Sequence, residues 1–302
     1  MLRYPLRWLL LCLLGPATLV AQHPATLTNQ ELRDWIEENT YDGNYAVIDY
    51  ADSIEQRALR EPNTSLAVRL LTSLGDALRA NSYGYSTDAG LSVHRLALDR
   101  LRRADDTLSQ ATLHLKIASV LFNMRRTYEG ETEIFRAIDL YRQLADSSGI
   151  VAGQRHLCDF CRTAGEYEEA LDYARSATAY YRRTNEAFNA DFAQLCELIT
   201  YLHMGEPAAA IRLADEMLER RGKTFDNNYG NSTFILTVRR DALLQTGDTT
   251  AAIQTTRRLL ESHAYDGRSI GDNPWYDAEE GYLYALLDRP KRAIPPLRSF
   301  FR

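Results

Sequence analysis

The sequence predicts an all-α chain, a solenoid of about seven antiparallel helix hairpins. Three observations carry this. A short word recurs at nearly constant spacing along the second half of the chain. Apolar residues follow the helical period, and nowhere is the alternation of a strand sustained between turn signals. Only nine prolines and sixteen glycines are spread over 302 residues, so no tract has the composition of a flexible linker or disordered arm. Apolar residues at 45% and charged residues at 25% give the balance of a soluble folded protein. This length exceeds one ordinary compact core, whereas a repeat array grows by adding neighbours.

The first element is an export signal. Arg3 and Arg7 give a positive start, Trp8 to Leu14 form an apolar run, and Gly15 and Pro16 break it. Ala21 is the small residue before a cut, with the larger Leu19 two positions earlier. The expected organisation is a signal peptide over 1–21 and a repeat domain over 22–302, secreted or periplasmic after cleavage. Cys12 follows Leu11 rather than the small residue of a lipid-attachment signal, which argues against lipidation. The run is too short for a membrane span, and no later run is long enough. Cleavage removes two arginines and no acids, taking the net charge from −6 to −8. An acidic chain without a basic block excludes nucleic acid as the expected partner.

Three hairpins follow upstream. Leu27 to Glu38 and Tyr45 to Arg60 form the first, joined at Asp42-Gly43-Asn44. Leu66 to Leu78 and Gly90 to Leu101 form the second, across Asn81-Ser82-Tyr83-Gly84-Tyr85. Leu113 to Asn123 and Glu131 to Tyr141 form the third, around Arg126-Thr127-Tyr128. Downstream the word is clearest as Ala164-Gly165-Glu166-Tyr167-Glu168-Glu169-Ala170-Leu171. It returns as Met204-Gly205-Glu206 before Ala210-Ile211, as Thr246-Gly247-Asp248 before Ala252-Ile253, and as Leu287-Asp288-Arg289 before Ala293-Ile294. The alanines step by 40, 42 and 41 residues. The Gly or turn residue ends helix A in a left-handed conformation. The acid opens helix B, where the dipole favours negative charge. The alanine marks a close crossing of the two helices.

These residues resemble the tetratricopeptide repeat family. Leu157, Cys158, Cys161, Gly165, Tyr167, Ala170, Ala174 and Ala177 carry the likeness in one unit. Tyr201, Gly205, Ala210 and Ala214 carry it in the next, and Gly281, Tyr284, Ala293 and Phe300 in the last. The resemblance implies a right-handed superhelix with a curved surface lined mostly by helix A. The period exceeds the family's usual ~34 residues, which implies longer helices or longer loops. Arg239 and Arg240 stand where the family prefers apolar and small residues, so distortion is expected there.

Positions that the family turns toward its groove are Arg155, His156, Asp159 and Arg162; then Phe192, Leu195, Ile199 and His203; then Phe234, Thr237, Val238 and Asp241; then Trp275, Glu279 and Tyr282. Such a mixed surface suits an extended or helical peptide, or else these side chains are inter-repeat core. Asp159 and Ile199 interrupt the polar set with which some members hold a C-terminal carboxylate. Cys158 and Cys161 read as core residues, as a disulfide with Cys196 as a possible partner, or as part of a zinc site that lacks its fourth ligand. No phosphate loop, His-Glu-x-x-His or Gly-x-Ser-x-Gly occurs. The expectation is a protein- or peptide-binding scaffold without cofactor, metal or catalysis. The alternative that the resemblance suggests is the sensory front of a signalling protein, with an enzyme a distant third. Ile294, Leu297 and Phe300 should pack on Tyr282, Ala285 and Leu286, leaving Phe301 at the C-terminal edge for self-association.

Overall fold

A computed structural model of the chain describes residues 24–40, 46–80, 86–221, 229–264 and 274–300. Every regular element among them is helical. A short 3-10 turn at Pro24–Thr26 precedes α1 (Asn29–Asn39), α2 (Ala46–Asp49), α3 (Ala51–Arg60), α4 (Thr64–Ala80), α5 (Ser86–Arg103), α6 (Thr107–Asn123) and α7 (Thr127–Gln143). Then come α8 (Ser147–Ala164), α9 (Tyr167–Arg183), α10 (Ala187–Met204), α11 (Pro207–Arg221), α12 (Tyr229–Gln245), α13 (Thr249–Ala264), α14 (Pro274–Leu286) and α15 (Pro290–Phe300). The expected export signal and Phe301 lie outside the described residues. Among those residues, no helix is long and apolar enough to cross a membrane.

The chain forms two compact units, Met1–Leu140 and Tyr141–Arg302. In the first, α1 and α3 pack on α4, α4 on α5, and α5 on α6. Leu32, Ile36, Ile54, Leu70, Leu71 and Leu74 are fully buried there. The helix expected over Tyr45 to Arg60 is divided. Tyr50 leaves helical geometry at φ −108°, ψ 6°, and its ring meets Trp35 edge-on at 6.2 Å. In the second unit consecutive helices from α8 to α15 are neighbours, and α10 also touches α8 and α12. The A helices of successive hairpins therefore form one layer.

One turn geometry is reused throughout. Asp105, Arg125, Ala145, Gly165, Asn185 and Gly205 all have positive φ, between 51° and 84°, at steps of 20 residues; Gly247 and Asp288 continue the series. From Arg125 onward, two backbone bonds close the preceding helix at each. Gly165 N–H donates to Arg162 O and Glu166 N–H to Cys161 O; Asn185 and Glu186 repeat this on Arg182 and Tyr181. The next residue starts the following helix. Asp106 accepts from Ser109 N–H at 3.0 Å, Asp146 from Gly149 N–H at 3.0 Å, and Asp248 from Ala251 N–H at 2.9 Å. With turns this tight, the long period is taken up by helices of 17 or 18 residues from α6 to α10.

The helix crossings obey a second register. Ala170, Ala210 and Ala252 are fully buried and Ala293 nearly so. Gly90 and Gly130 continue this series upstream at the same 40-residue step. A Cβ on Gly90 would lie 3.0 Å from the Gly75 carbonyl oxygen, and one on Gly130 would lie 3.2 Å from that of Ala118. Here the backbones approach so closely that glycine replaces alanine.

Two expectations about packing are corrected. α12 runs unbroken through Arg239 and Arg240 because each guanidinium finds a partner. Arg239 pairs with Asp215 at 2.7 Å, and Arg240 pairs with Asp241 and Glu279. In α15 the face turned to α14 is Ala293 and Leu297, not Ile294, which is 47% exposed. A Cβ on Gly281 would lie 2.6 Å from Leu297 Cγ, so glycine at that point admits Leu297 against α14. Ile294 lies about 100° around the helix from that contact. Cys158, Cys161 and Cys196 are buried in the core, and none is in a disulfide among the described residues.

Candidate binding face of the second unit

The A helices α8, α10, α12 and α14 place most of the expected groove residues on one layer, and two cationic contacts tie successive helices together. Arg155 on α8 lies over the Phe192 ring of α10, 4.7 Å from its centroid. Arg240 on α12 lies over the Tyr282 ring of α14, at 4.4 Å. Each leaves one ring face covered by charge and supplies a rigid aromatic platform. Phe234 has no such cover among the described residues and is 57% exposed, and Tyr282 is 37% exposed. Ile199 is half-buried against the core.

Charges punctuate this face. Arg162 donates to Asp159 at 2.9 Å within one helix turn. His203 is exposed; its pKa is lowered by partial burial and then by the charge of Arg162. Arg155 Nη2 stands 3.0 Å from His156 Nε2. A guanidinium can only donate, so this nitrogen carries the lone pair and the ring is neutral. Burial, then the Arg155 charge, lowers the His156 pKa to about 3. Thr237 turns its hydroxyl back to the Thr233 carbonyl.

Not every expected residue reaches the face. Leu195 and Val238 are 4% and 8% exposed and pack with Leu198, Met217 and Ile235 between α10, α11 and α12. Their apolar character reflects core packing. Trp275 lies in α14, and its side chain is outside those described. Asp241 and Glu279 are engaged by Arg240, the residue that organises this end. Arg240 is 7% exposed; burial opposes its charge, but Glu279 and Asp241 more than offset this and raise its pKa. Its signal in the sequence was its departure from the small residue expected there.

Cys158 offers no nucleophile. The Cys158 thiol is pushed up by its hydrogen bond to Cys196 and by burial, so it stays protonated. Cys161 Sγ and the Glu166 and Glu169 carboxylates lie within 4.8 Å of one another. Those acids stand at the start of α9, where backbone N–H groups favour negative charge without an ion.

No family model and no curated protein sequence matches this chain. Solved structures do. A tetratricopeptide repeat protein from Parabacteroides merdae covers 89% of this chain and 92% of its own, at 13% identity and a TM-score of 0.56. The apo quorum sensor NprR from B. thuringiensis covers 91% and 88%, at 12% identity and 0.52. A Rap protein complexed with Competence and Sporulation Factor covers 90% and 78%, at 16% identity and 0.51. The likeness is one of fold: the chain has an all-α helical repeat fold like that of tetratricopeptide proteins.

Proposed function

We propose that this chain is a binding scaffold for a protein or peptide, and that the A-helix face of the second unit is its recognition surface. The observation that carries this is the aromatic run on that face: the half-buried Phe192 and the exposed Tyr282 held under arginines, with Phe234 between them uncovered among the described residues. An aromatic that is more than half exposed on a rigid helix gives apolar contact at low entropic cost, which suits peptide capture. The shared fold supports the reading, since one neighbour is a quorum sensor and another was solved with Competence and Sporulation Factor bound. Work at this face is binding rather than catalysis.

The test is selection of random twelve-residue peptides on the immobilised full chain, followed by titration of a selected peptide. The expected result is a saturable complex weakened by about 1–3 kcal/mol in Phe234→Ala, the range of an aromatic contact residue. Selected peptides that bind Phe192→Ala and Phe234→Ala as tightly as the parent would refute the face.

We also propose that this scaffold works outside the cytoplasm, on the strength of the charged start and apolar run at residues 3–14. Mass spectrometry of protein from its native host should find the N-terminus near Gln22. An intact Met1 would overturn this.

A further inference from the structure

The first unit contains a polar cleft that the peptide-binding reading does not use. Two adjoining cavities of about 310 Å³ and about 290 Å³ share Glu37, Ser73 and Asp76 as a common wall. Glu37 comes from α1, while Ser73 and Asp76 come from α4. The chemistry of the two lobes differs.

The smaller lobe offers acceptors. It is lined by Glu37, Thr40, Ser73 and Asp76. Ser73 Oγ donates to Glu37 Oε1 at 3.1 Å, and Thr40 Oγ1 donates to the Ile36 carbonyl at 2.6 Å. Both hydroxyl hydrogens are thereby used, leaving their oxygen lone pairs. Thr40 is only 4% exposed, so the lobe reaches into the core. The larger lobe adds cations and hydroxyls. Lys116 on α6 donates to Asp76 Oδ2 at 2.5 Å and keeps further N–H donors. Arg69 is exposed on the rim, with no ion-pair partner among the described residues, and Thr72 and Thr112 stand nearby.

Behind Asp76 lies a second, independent observation. His94 on α5 is fully buried, and neither ring nitrogen makes a close hydrogen bond among the described residues. Its Nε2 faces Asp76 Oδ1 at 3.5 Å. Gly75 makes room for that ring, because a Cβ there would lie 2.7 Å from Nε2. A buried imidazole backed against a cleft-wall carboxylate is a costly arrangement for packing alone. Burial opposes ionisation of Asp76, but His94 and Lys116 together outweigh it and hold the carboxylate ionised.

An acceptor set and an ammonium with spare N–H donors therefore sit side by side, with Asp76 and Lys116 in contact. That separation matches a head group whose own cation and anion are neighbours on one carbon. We propose that this cleft binds a free α-amino acid, its ammonium among Thr40, Ser73, Glu37 and Asp76 and its carboxylate toward Lys116 and Arg69. Peptides fit less well, since their two termini are separated by at least one further residue. The larger lobe, floored by Val68, Leu101 and Leu113, would take the side chain.

Calorimetric titration of the full chain with each of the twenty free L-amino acids tests this. At least one should bind saturably. Its amide, which lacks the carboxylate, and its N-acetyl derivative, which lacks the ammonium, should each bind about ten-fold more weakly or worse, as loss of a charge-assisted contact requires. Arg69→Gln and Glu37→Gln alter exposed side chains, so both should keep the helical circular dichroism while weakening binding several-fold. Phe234→Ala should leave it unchanged, which separates this cleft from the proposed peptide face. The proposal is overturned if no amino acid binds up to about 10 mM, a level near the weakest useful affinity. It is equally overturned if either derivative or a dipeptide binds as tightly as the parent, or if both variants keep full affinity.

Discussion

Forty-residue steps carry Thr72 and Thr112 of the first unit to Phe192 of the second, and Asp76 and Lys116 to His156. The same register positions thus line a polar cleft in one unit and an aromatic, arginine-braced face in the other. The scaffold beneath does not change. Gly90 and Gly130 in the first unit and Ala170, Ala210 and Ala252 in the second occupy the same helix crossing. What must be small for backbones to meet is held constant, and what faces outward is free to carry chemistry.

The comparison breaks first at charges buried within the scaffold. Glu279→Ala would strand Arg240 with only the partly exposed Asp241, and should destabilise by about 3 kcal/mol, the range for halving a buried pair. Equilibrium urea unfolding measures this. A loss below about 0.5 kcal/mol, that of a surface pair, would place Arg240 outside the scaffold.

Overpacking the crossings comes next. Ala170→Leu, Ala210→Leu and Gly130→Leu should each cost about 1–3 kcal/mol or more, while Glu168→Leu on an exposed position should change stability by under about 0.5 kcal/mol. Similar small effects at all four would show that the crossing register is misplaced.

Acid should separate the two units. His156 has a folded pKa of about 3 against an ordinary value near 6.5, so the unfolded chain takes up the proton first. Its contribution is complete above about pH 6.5 and is lost as pH falls toward 3, at up to about 1.4 kcal/mol per pH unit. Asp76 and Glu133 in the first unit behave otherwise. For both, burial works against a charge that neighbouring histidine and cationic groups more than restore, and both pKa values are lowered. Their stabilisation persists above about pH 4 and goes only as pH falls through the depressed values. His156→Phe should therefore flatten the stability slope between about pH 6.5 and 5, and Asp76→Asn should leave that window unaltered. An unchanged slope in His156→Phe would contradict the half-buried neutral imidazole.

Much of this scaffold was legible in the sequence, and the reason is visible at the turns. Gly165, Gly205 and Gly247 announce the left-handed residue, because glycine adopts it freely. Asp105, Arg125, Ala145 and Asn185 hold the same geometry under tertiary constraint and give no such signal. A different trace was present: Leu101-Arg102, Tyr141-Arg142 and Tyr181-Arg182 recur at 40 residues, each beginning with a buried residue ahead of the turn. Gly90 and Gly130 escaped a search for alanine although they do the same work. The binding face was only partly legible. Leu195 and Val238 have the period of groove residues and the burial of core, since one helical stripe grades into the other within a single turn. The first-unit cleft left no sequence pattern at all, because its donors and acceptors come from three helices.

The smallest expected effect concerns those turns. Ala145→Gly should stabilise by about 0.5–1 kcal/mol by relieving positive φ, whereas Gly165→Ala should destabilise by about 1 kcal/mol. Opposite signs at two positions 20 residues apart would fix the shared geometry; equal signs would dissolve it.

Hydrogen–deuterium exchange of the full chain, with and without a selected twelve-residue peptide at saturation, tests the central claim most directly. Protection should concentrate on the A helices α8, α10, α12 and α14, centred on Phe192 and Phe234, and leave α9, α11 and α13 unchanged. Protection confined to those B helices, or to α4 through α6, would contradict the account and move recognition away from the aromatic face.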